Sequence, residues 1–379
     1  MDLNNIRAAI DNVDKELLRL FLERMALSDE VAAYKKENNI AAVDRARERE
    51  ILEKVMSASP GCEQYAHHLF STLIELSKAR QSELLSPPSK VRGLVEGALE
   101  DVRTPFPRSG RIACQGIEGS NSQQACDKLF PRGNIMYFKN FAGVFDAVAS
   151  GLCDHGVLPA ENNSGGSVRA VYELLPNKKC YITRATTLWI RHELLALPGA
   201  DMDNITEIYS HEQALGQCSR FISSLSGKVK AVPCENTAVA AKQIAESGNP
   251  RAAAISSARC AQLYGLKSLR SDIQDSDNNY TRFVCIGREP VIYAGAGRIC
   301  VVLRFDSRPG ALSDVLLKFA ARGINITKLE SCPVTGGDFE FDFIFEIDAQ
   351  INALGTMELL ADLERSCPGF DFLGCYSYE

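Results

Sequence analysis

A helical apolar stripe that ends in a double proline constrains this chain more than any other feature. Leu3, Ile6, Ile10, Val13, Leu17 and Leu20 recur at helical spacing, so the segment buries one side. Helical patterning continues to about Leu85 and meets Ser86-Pro87-Pro88-Ser89. Proline lacks the N–H donor and clashes with the preceding turn, so no helix continues through that cluster. An all-helical unit is therefore predicted over residues 1–88. A second breaker cluster, Thr104-Pro105-Phe106-Pro107-Arg108-Ser109-Gly110, precedes a short apolar strand at Arg111 to Cys114. From there short strands alternate with helices, as at Asp154 to Leu158, Tyr181 to Ile190 and Ala252 to Ser256. That order predicts an α/β unit over residues 110–290. After Gly295-Ala296-Gly297 the order changes again. Strands are expected at Ile299 to Phe305, Asn325 to Ser331, Phe339 to Ile347 and Asp371 to Tyr376, and helices at Ala311 to Ala321 and Asn352 to Arg365. This βαββαβ string over 297–379 is a ferredoxin-like module. The expected fold class is thus multidomain: all-α, then α/β, then ferredoxin-like.

Bulk properties narrow the function classes. A chain of 379 residues exceeds one ordinary core. Its 45% hydrophobic and 24% charged content describes a soluble globular protein. The net charge of −6, with no basic, aromatic-interleaved patch, gives no support to nucleic-acid binding. No apolar stretch approaches a membrane span, and the charged N-terminus lacks a signal-peptide core. The 13 cysteines are odd in number, show no Cys-x-x-Cys and sit mostly in apolar runs such as Phe283-Val284-Cys285-Ile286. Buried thiols in a reducing, cytoplasmic compartment are expected. There is no metal-ligand cluster in the sequence.

Seven polar residues stand out on the amphipathic helices: Arg7, Arg24, Lys35, Asp44, Glu48, Ser77 and Gln81. Alone, each reads as part of a solvated face. Arg24 and Lys35, eleven residues apart, fall within roughly 20° on one helix face at about 100° per residue. Asp44 with Glu48, and Ser77 with Gln81, are four apart and project together. Arg7 lies well off Arg24 on a continuous helix, placed to reach a partner chain's pocket. The set reads as a pocket for a doubly charged small anion. It resembles the intertwined, all-helical chorismate mutases from Met1 to about Leu85, on Asn5-Ile6-Arg7, Glu23-Arg24, Lys35, Asp44-Arg45-Ala46-Arg47-Glu48 and Ser77 with Gln81. The resemblance implies the pericyclic rearrangement of chorismate to prephenate. Arg24, with Arg7 from the other subunit, would clamp the carboxylates by forked hydrogen bonds. Lys35 and Gln81 would donate to the ether oxygen, where negative charge grows. Glu48 would accept from the ring hydroxyl, and Asp44 and Ser77 would complete the wall. A ~10⁶-fold acceleration needs about 8 kcal/mol. One donor to a developing oxyanion supplies about 3–4 kcal/mol, so two donors plus conformer selection suffice.

In the middle unit, Gly116-Ile117-Glu118-Gly119-Ser120 is a glycine turn leading into a helix, a junction that presents N–H groups to anions. It lacks G-x-G-x-x-G spacing. Four further segments follow: Asp154 to Ser164 with Glu161-Asn162-Asn163, Ser210-His211-Glu212-Gln213-Ala214-Leu215, Glu235-Asn236-Thr237-Ala238, and Asn279-Tyr280-Thr281-Arg282-Phe283. In order and spacing they resemble prephenate dehydratase from about Arg111 to Arg288, which implies two lobes built like a type II periplasmic binding protein. The implied reaction expels hydroxide and CO₂ from prephenate to give phenylpyruvate. Hydroxide leaves poorly, so a donor must assist it, and Thr281 is the expected donor. Asn162, Gln213, Asn236 and Thr237 would bind substrate. Arg282 would position a carboxylate or tie a loop. Glu161 reads as structural, and so do His192 and His211, the two histidines because this elimination removes no proton from carbon. Asn121, Asn163 and Asn236 depart from the family's usual residues.

The tail resembles an ACT domain, an amino-acid sensor, on Gly310-Ala311-Leu312 and Glu330-Ser331-Cys332-Pro333. The implied ligand is phenylalanine, with its carboxylate at the helix start. Cys332 replaces the usual arginine, leaving Glu330 with one fewer partner. Together the resemblances imply a homodimer or higher homo-oligomer that makes phenylpyruvate from chorismate under phenylalanine inhibition, with no cofactor, metal, nucleic acid or membrane partner. One rival is a mutase whose middle and tail only bind aromatic ligands. A mutase–dehydrogenase fusion is opposed by the missing dinucleotide fingerprint.

Overall fold

The computed structural model describes residues 2–38, 44–85, 89–99, 105–163, 165–225, 229–334, 341–353 and 355–378. Ser86 to Pro88, Thr104, Ser164 and the Phe339 start of a predicted strand lie outside them. Helix α1 (Leu3–Glu37) is continuous, followed by α2 (Arg45–Ala58) and α3 (Glu63–Leu85). The Asp44 side chain caps α2 by accepting from Arg47 N at 3.0 Å. Bonds from Arg24 to Ser77, Arg80 to Asp29 and Lys35 to Gln81 set α3 parallel to α1. The burial expected for the α1 stripe is not met within one chain: Leu3, Val13 and Leu17 stay 57%, 59% and 54% exposed.

Between the breaker clusters, where the sequence reading assigns no element, the chain forms α4 (Lys90–Leu99). Gly93 and Gly97 weaken its local helix signal, and tertiary packing restores it. Val91, Val95 and Ala98 join the buried cluster of Leu359, Leu360 and Leu363. Glu364 accepts from Ser89 Oγ at 2.6 Å and from Val91 N at 3.2 Å, satisfying a donor at the open helix start.

The α/β unit has two lobes. The first contains β1 (Ser109–Gln115), α5 (Asn121–Leu129), β2 (Arg132–Phe138), α6 (Phe141–Ala149), β3 (His155–Asn162), β4 (Gly166–Ser167), α7 (Arg169–Lys178) and β5 (Tyr181–Trp189). The second contains β6 (Glu193–Ala196), β7 (Glu207–His211), α8 (Glu212–Gln217), α9 (Ser219–Ser224), β8 (Lys230–Cys234), α10 (Thr237–Ser247), β9 (Ala252–Ser256), α11 (Ala258–Tyr264) and β10 (Lys267–Arg270). Strand β11 (Tyr280–Gly287) then returns to the first lobe between β5 and β3. The chain therefore crosses between lobes twice, after β5 and before β11. The second lobe has its own sheet, in the order β10-β6-β9-β7-β8.

The tail is β12 (Arg298–Arg304), α12 (Ala311–Ala320), β13 (Asn325–Pro333), β14 (Phe341–Asp348), α13 (Thr356–Ser366) and β15 (Gly369–Tyr378), which gives the predicted βαββαβ order. Its sheet does not stand apart. Ser377 and Tyr378 of β15 pair with Arg184 and Ala185 of β5, so one sheet runs β13-β14-β12-β15-β5-β11-β3-β1-β2. At this joint Gly374 has φ +142°, and a Cβ there would lie 2.2 Å from Ile182 O. Only glycine permits so close a backbone approach. One hydrophobic core spans the joint, containing Ala113, Leu158 and Val284 together with Cys300, Ile344 and Leu373. All thirteen cysteines are free and eleven are buried. Among the described residues no helix is long and apolar enough to cross a membrane.

Candidate functional site

In the helical unit, α1 and α3 bring four predicted residues together. Arg24 Nη1 donates to Leu73 O at 2.8 Å and to the Ser77 hydroxyl. Ser77 is buried and donates in turn to Leu73 O at 2.9 Å. Lys35 Nζ lies 3.2 Å from Gln81 Oε1. Burial lowers the Arg24 pKa, yet a guanidinium remains charged. Glu48 turns to Lys78 at 3.3 Å, Asp44 caps α2, and Arg7 is exposed. Among the described residues no hydrogen bond joins these three to the Arg24 group.

The dehydratase candidates converge on the β3–β11 pair. Register sets Thr281 opposite Asn162 and Arg282 opposite Glu161. Because strand side chains alternate faces, the first pair and the second point to opposite sides. On one side, Asn162 Nδ2 donates to Thr281 Oγ1 at 2.9 Å, and Gln213 Nε2 from the other lobe donates to Asn162 Oδ1 at 3.1 Å. Since Thr281 accepts from Asn162, its own O–H proton is left for a third partner. Gly165 makes room for this arrangement, because a Cβ there would lie 2.5 Å from Gln213 Nε2. Beside it opens a cavity of about 700 Å³ lined by Asn163, Gly165, Gln213, Gln217 and Asn278.

A polar relay supports the pair from the lobe crossings. Asn279 Nδ2 donates to Gln217 Oε1 at 3.1 Å, and His192 Nε2 lies 2.9 Å from that oxygen. His192 is buried, and burial lowers its pKa although Gln217 opposes the shift, which favours a neutral ring. His211 caps α8, its Nδ1 accepting from Gln213 N at 3.3 Å. His192 is thus enclosed, whereas His211 is exposed with its Nδ1 committed to the cap. Sequence reasoning passed over Gln217 and Gly165. Asn279 stood in the quoted motif without a role.

Asn236 caps α10 by accepting from Val239 N at 2.8 Å, with Thr237 opening the helix. Its amide nitrogen lies 4.0 Å from where a Gly116 Cβ would stand, so this corner faces the glycine turn of the first lobe. Nearby, Arg259 pairs with Asp127 at 2.6 Å and Tyr264 donates to Glu118 O at 2.8 Å, bridging the lobes. Asn163 is drawn into backbone pinning, with Oδ1 accepting from Tyr280 N at 3.1 Å.

The expected substrate-binding role of Arg282 needs correction. Its guanidinium is buried on the side away from Thr281. It donates to both Glu346 oxygens at 2.6 and 2.7 Å and to the Tyr172 hydroxyl at 2.8 Å, and it lies 3.1 Å from Glu161. Burial opposes both charges, but the pairing outweighs it: Arg282 is held above its ordinary value and Glu346 below. The tie runs to β14 of the tail, not to a loop.

In the tail, Gly310 caps α12 with φ +85°, Ala311 is buried, and Leu312 borders a cavity of about 640 Å³ lined by Phe305, Pro309, Phe341 and Phe343. That aromatic wall beside a helix start suits an aromatic amino acid. Glu330 faces the other way, 3.4 Å from Lys328, so a cation remains beside it although Cys332 is a buried thiol. Ser331 is exposed on the opposite strand face.

Family models match in the same order: chorismate mutase type II at residues 6–82, prephenate dehydratase at 112–291 and ACT domain at 301–365. The bifunctional chorismate mutase/prephenate dehydratase of Escherichia coli (strain K12) is 30% identical over 383 residues, covering 99% of this chain and 96% of that one. The chloroplastic arogenate dehydratase/prephenate dehydratase 2 of Arabidopsis thaliana is 35% identical over 310 residues, covering 79% of each chain. Among solved structures, the prephenate dehydratase of Arthrobacter aurescens in complex with L-Phe has a TM-score of 0.65 at 28% identity, covering 70% of this chain and 89% of that one. With all three units present in order and the match running end to end, this chain belongs to the bifunctional chorismate mutase/prephenate dehydratase family with a C-terminal ACT domain.

Proposed function

We propose that the chain rearranges chorismate to prephenate on residues 1–88, converts prephenate to phenylpyruvate on 110–290, and is inhibited by phenylalanine bound to 297–379. In the mutase, Arg24 binds a substrate carboxylate and Ser77 fixes the guanidinium. Lys35 and Gln81 meet the ether oxygen as charge develops, the Gln81 amide turning its nitrogen inward once Lys35 engages substrate. Glu48 takes the ring hydroxyl after leaving Lys78, and Asp44 closes the wall. Arg7 enters the site of a second copy. The uncovered α1 stripe supports a homodimer, since it gives that copy an apolar seam beside Arg7.

The observation that carries the dehydratase reading is the Thr281 hydroxyl, which accepts from Asn162 and so keeps its own proton available to a third partner. That proton assists the leaving hydroxide as the carboxylate departs as CO₂. Gln213, Asn236 and Thr237 supply neutral hydrogen bonds to the substrate. In the tail, Gly310, Ala311 and Leu312 receive the phenylalanine, with Glu330 and Ser331 on the second strand. The thirteen free thiols support a reducing cytoplasm.

The test incubates full-length protein with chorismate and no added cofactor, and follows chorismate, prephenate and phenylpyruvate with and without phenylalanine. Transient prephenate followed by phenylpyruvate, suppressed by phenylalanine, is the expected result. Prephenate that only accumulates reduces the middle unit to a binding module, and a parallel arm with arogenate reports whether the aminated substrate is used instead.

A further inference from the structure

The buried charges on the far side of the catalytic strands belong to two modules. Arg282 and Glu161 come from the dehydratase, directly beside Thr281 and Asn162 in sequence. Glu346 and Lys328 come from β14 and β13 of the ACT module. Glu346 receives both Arg282 bonds, while Lys328 Nζ lies 3.6 Å from Glu161, 3.3 Å from the Tyr172 hydroxyl and 3.4 Å from Glu330. The Lys328 ammonium also sits 4.6 Å from the Tyr172 ring centroid. Side-chain exposure is 5% for Arg282 and 2% for Glu346, so water screens that pair poorly, while Glu161 at 37% is partly open to solvent. A register irregularity follows Arg282 in the β11–β3 ladder, so the strand there is held by fewer regular backbone bonds.

We propose that Glu346 and Lys328 of the ACT module are positioning residues for the dehydratase reaction, acting through Arg282 and Glu161 on the Thr281–Asn162 pair. The proposal rests on the assignment of Thr281 as the proton donor. Each catalytic side chain is one residue from a charge that the ACT module holds. A shift of β13 or β14 against β11 therefore turns the strand that presents the Thr281 hydroxyl. Glu330 places the sensor's second strand in the same chain of charges, through Lys328. A displacement of about 1 Å at reacting groups costs up to ~10²-fold in rate.

The experiment measures prephenate turnover, mutase activity and phenylalanine inhibition in full-length Lys328→Met and in the double variant Arg282→Met/Glu346→Leu. The double variant exchanges a buried ion pair for apolar groups, a change that commonly preserves stability, so a purely structural pair predicts normal kinetics. The expected result is a fall of about tenfold or more in dehydratase kcat, with KM within about twofold, a weakened phenylalanine response and unchanged mutase activity. Normal dehydratase kcat and phenylalanine response in either folded variant overturns the proposal. If the double variant does not fold, Lys328→Met decides alone. Thr281→Ala is run alongside: retained turnover there removes the donor assignment itself, whereas its loss beside an unaffected Lys328→Met rejects only the coupling.

Discussion

Gly165 shows how much one missing methyl group can decide. The Cβ of an alanine there meets the mobile end of Gln213, not a backbone atom, so the amide moves and the fold stays intact. Gly165→Ala is expected to change unfolding stability by less than about 1 kcal/mol and to lower dehydratase kcat about tenfold. Thermal unfolding beside prephenate turnover separates the two effects. Glu346 is the titratable residue with the clearest consequence. Burial pushes its pKa up, but Arg282 and Lys328 together hold it below the usual carboxylate range. A depressed folded value means that its contribution is fully present above the unfolded value of about 4.3 and is lost as pH falls through the folded value. Glu346→Gln leaves Arg282 buried without its main counter-charge and is expected to cost about 3–5 kcal/mol at neutral pH. The stability difference between the two proteins, taken from unfolding curves, should narrow as pH falls from 7 towards 3. Curves that stay parallel would exclude the pair as the source of the difference.

At the scale of elements, the joint between β5 and β15 is the vulnerable point. Gly374 is held at positive φ with Ile182 O where a side chain would begin, so neither rotation nor a rotamer change relieves a methyl group. Gly374→Ala should destabilise the joined sheet by more than about 3 kcal/mol. Calorimetry should show the dehydratase–ACT transition moving to lower temperature, while the helical unit's transition stays in place. Helix α4 illustrates the opposite balance. Its glycines weaken local propensity, but Val91, Val95 and the Glu364 bonds hold it against the tail. The chain thus passes from the mutase to the tail's surface before it enters the dehydratase.

For the whole molecule, α1 carries its prediction outside the single chain. Leu17 and Leu20 remain 54% and 47% exposed on a helix whose Arg7 is also uncovered. Leu17→Glu with Leu20→Glu should dissociate the helical seam, seen by sedimentation, and lower mutase kcat/KM about 10–100-fold as a charged hydrogen bond to substrate is lost. Dehydratase turnover should persist, because the residues proposed for its site, Thr281, Asn162 and Gln213, meet within one chain. Equal sedimentation and full mutase activity would remove the stripe as the dimer contact.

The sequence by itself determined the order of the three units, the helix and strand types, and most side chains that meet at each site. Periodicity and breakers act over a few residues, so β9 at Ala252–Ser256 and the βαββαβ order of the tail were legible. The Thr281, Asn162 and Gln213 set was legible through motif order. Only the tertiary structure decided where Arg282 points, that β15 extends the dehydratase sheet, and that Asn279 and Gln217 tie His192 to the crossing. Each depends on which residues far apart in sequence become neighbours: Arg282 and Glu346 are 64 positions apart. A charged residue carries no local mark of whether its partner will be a substrate or a buried carboxylate. Strand pairing and burial make that choice, because they remove water from one alternative and leave the other exposed.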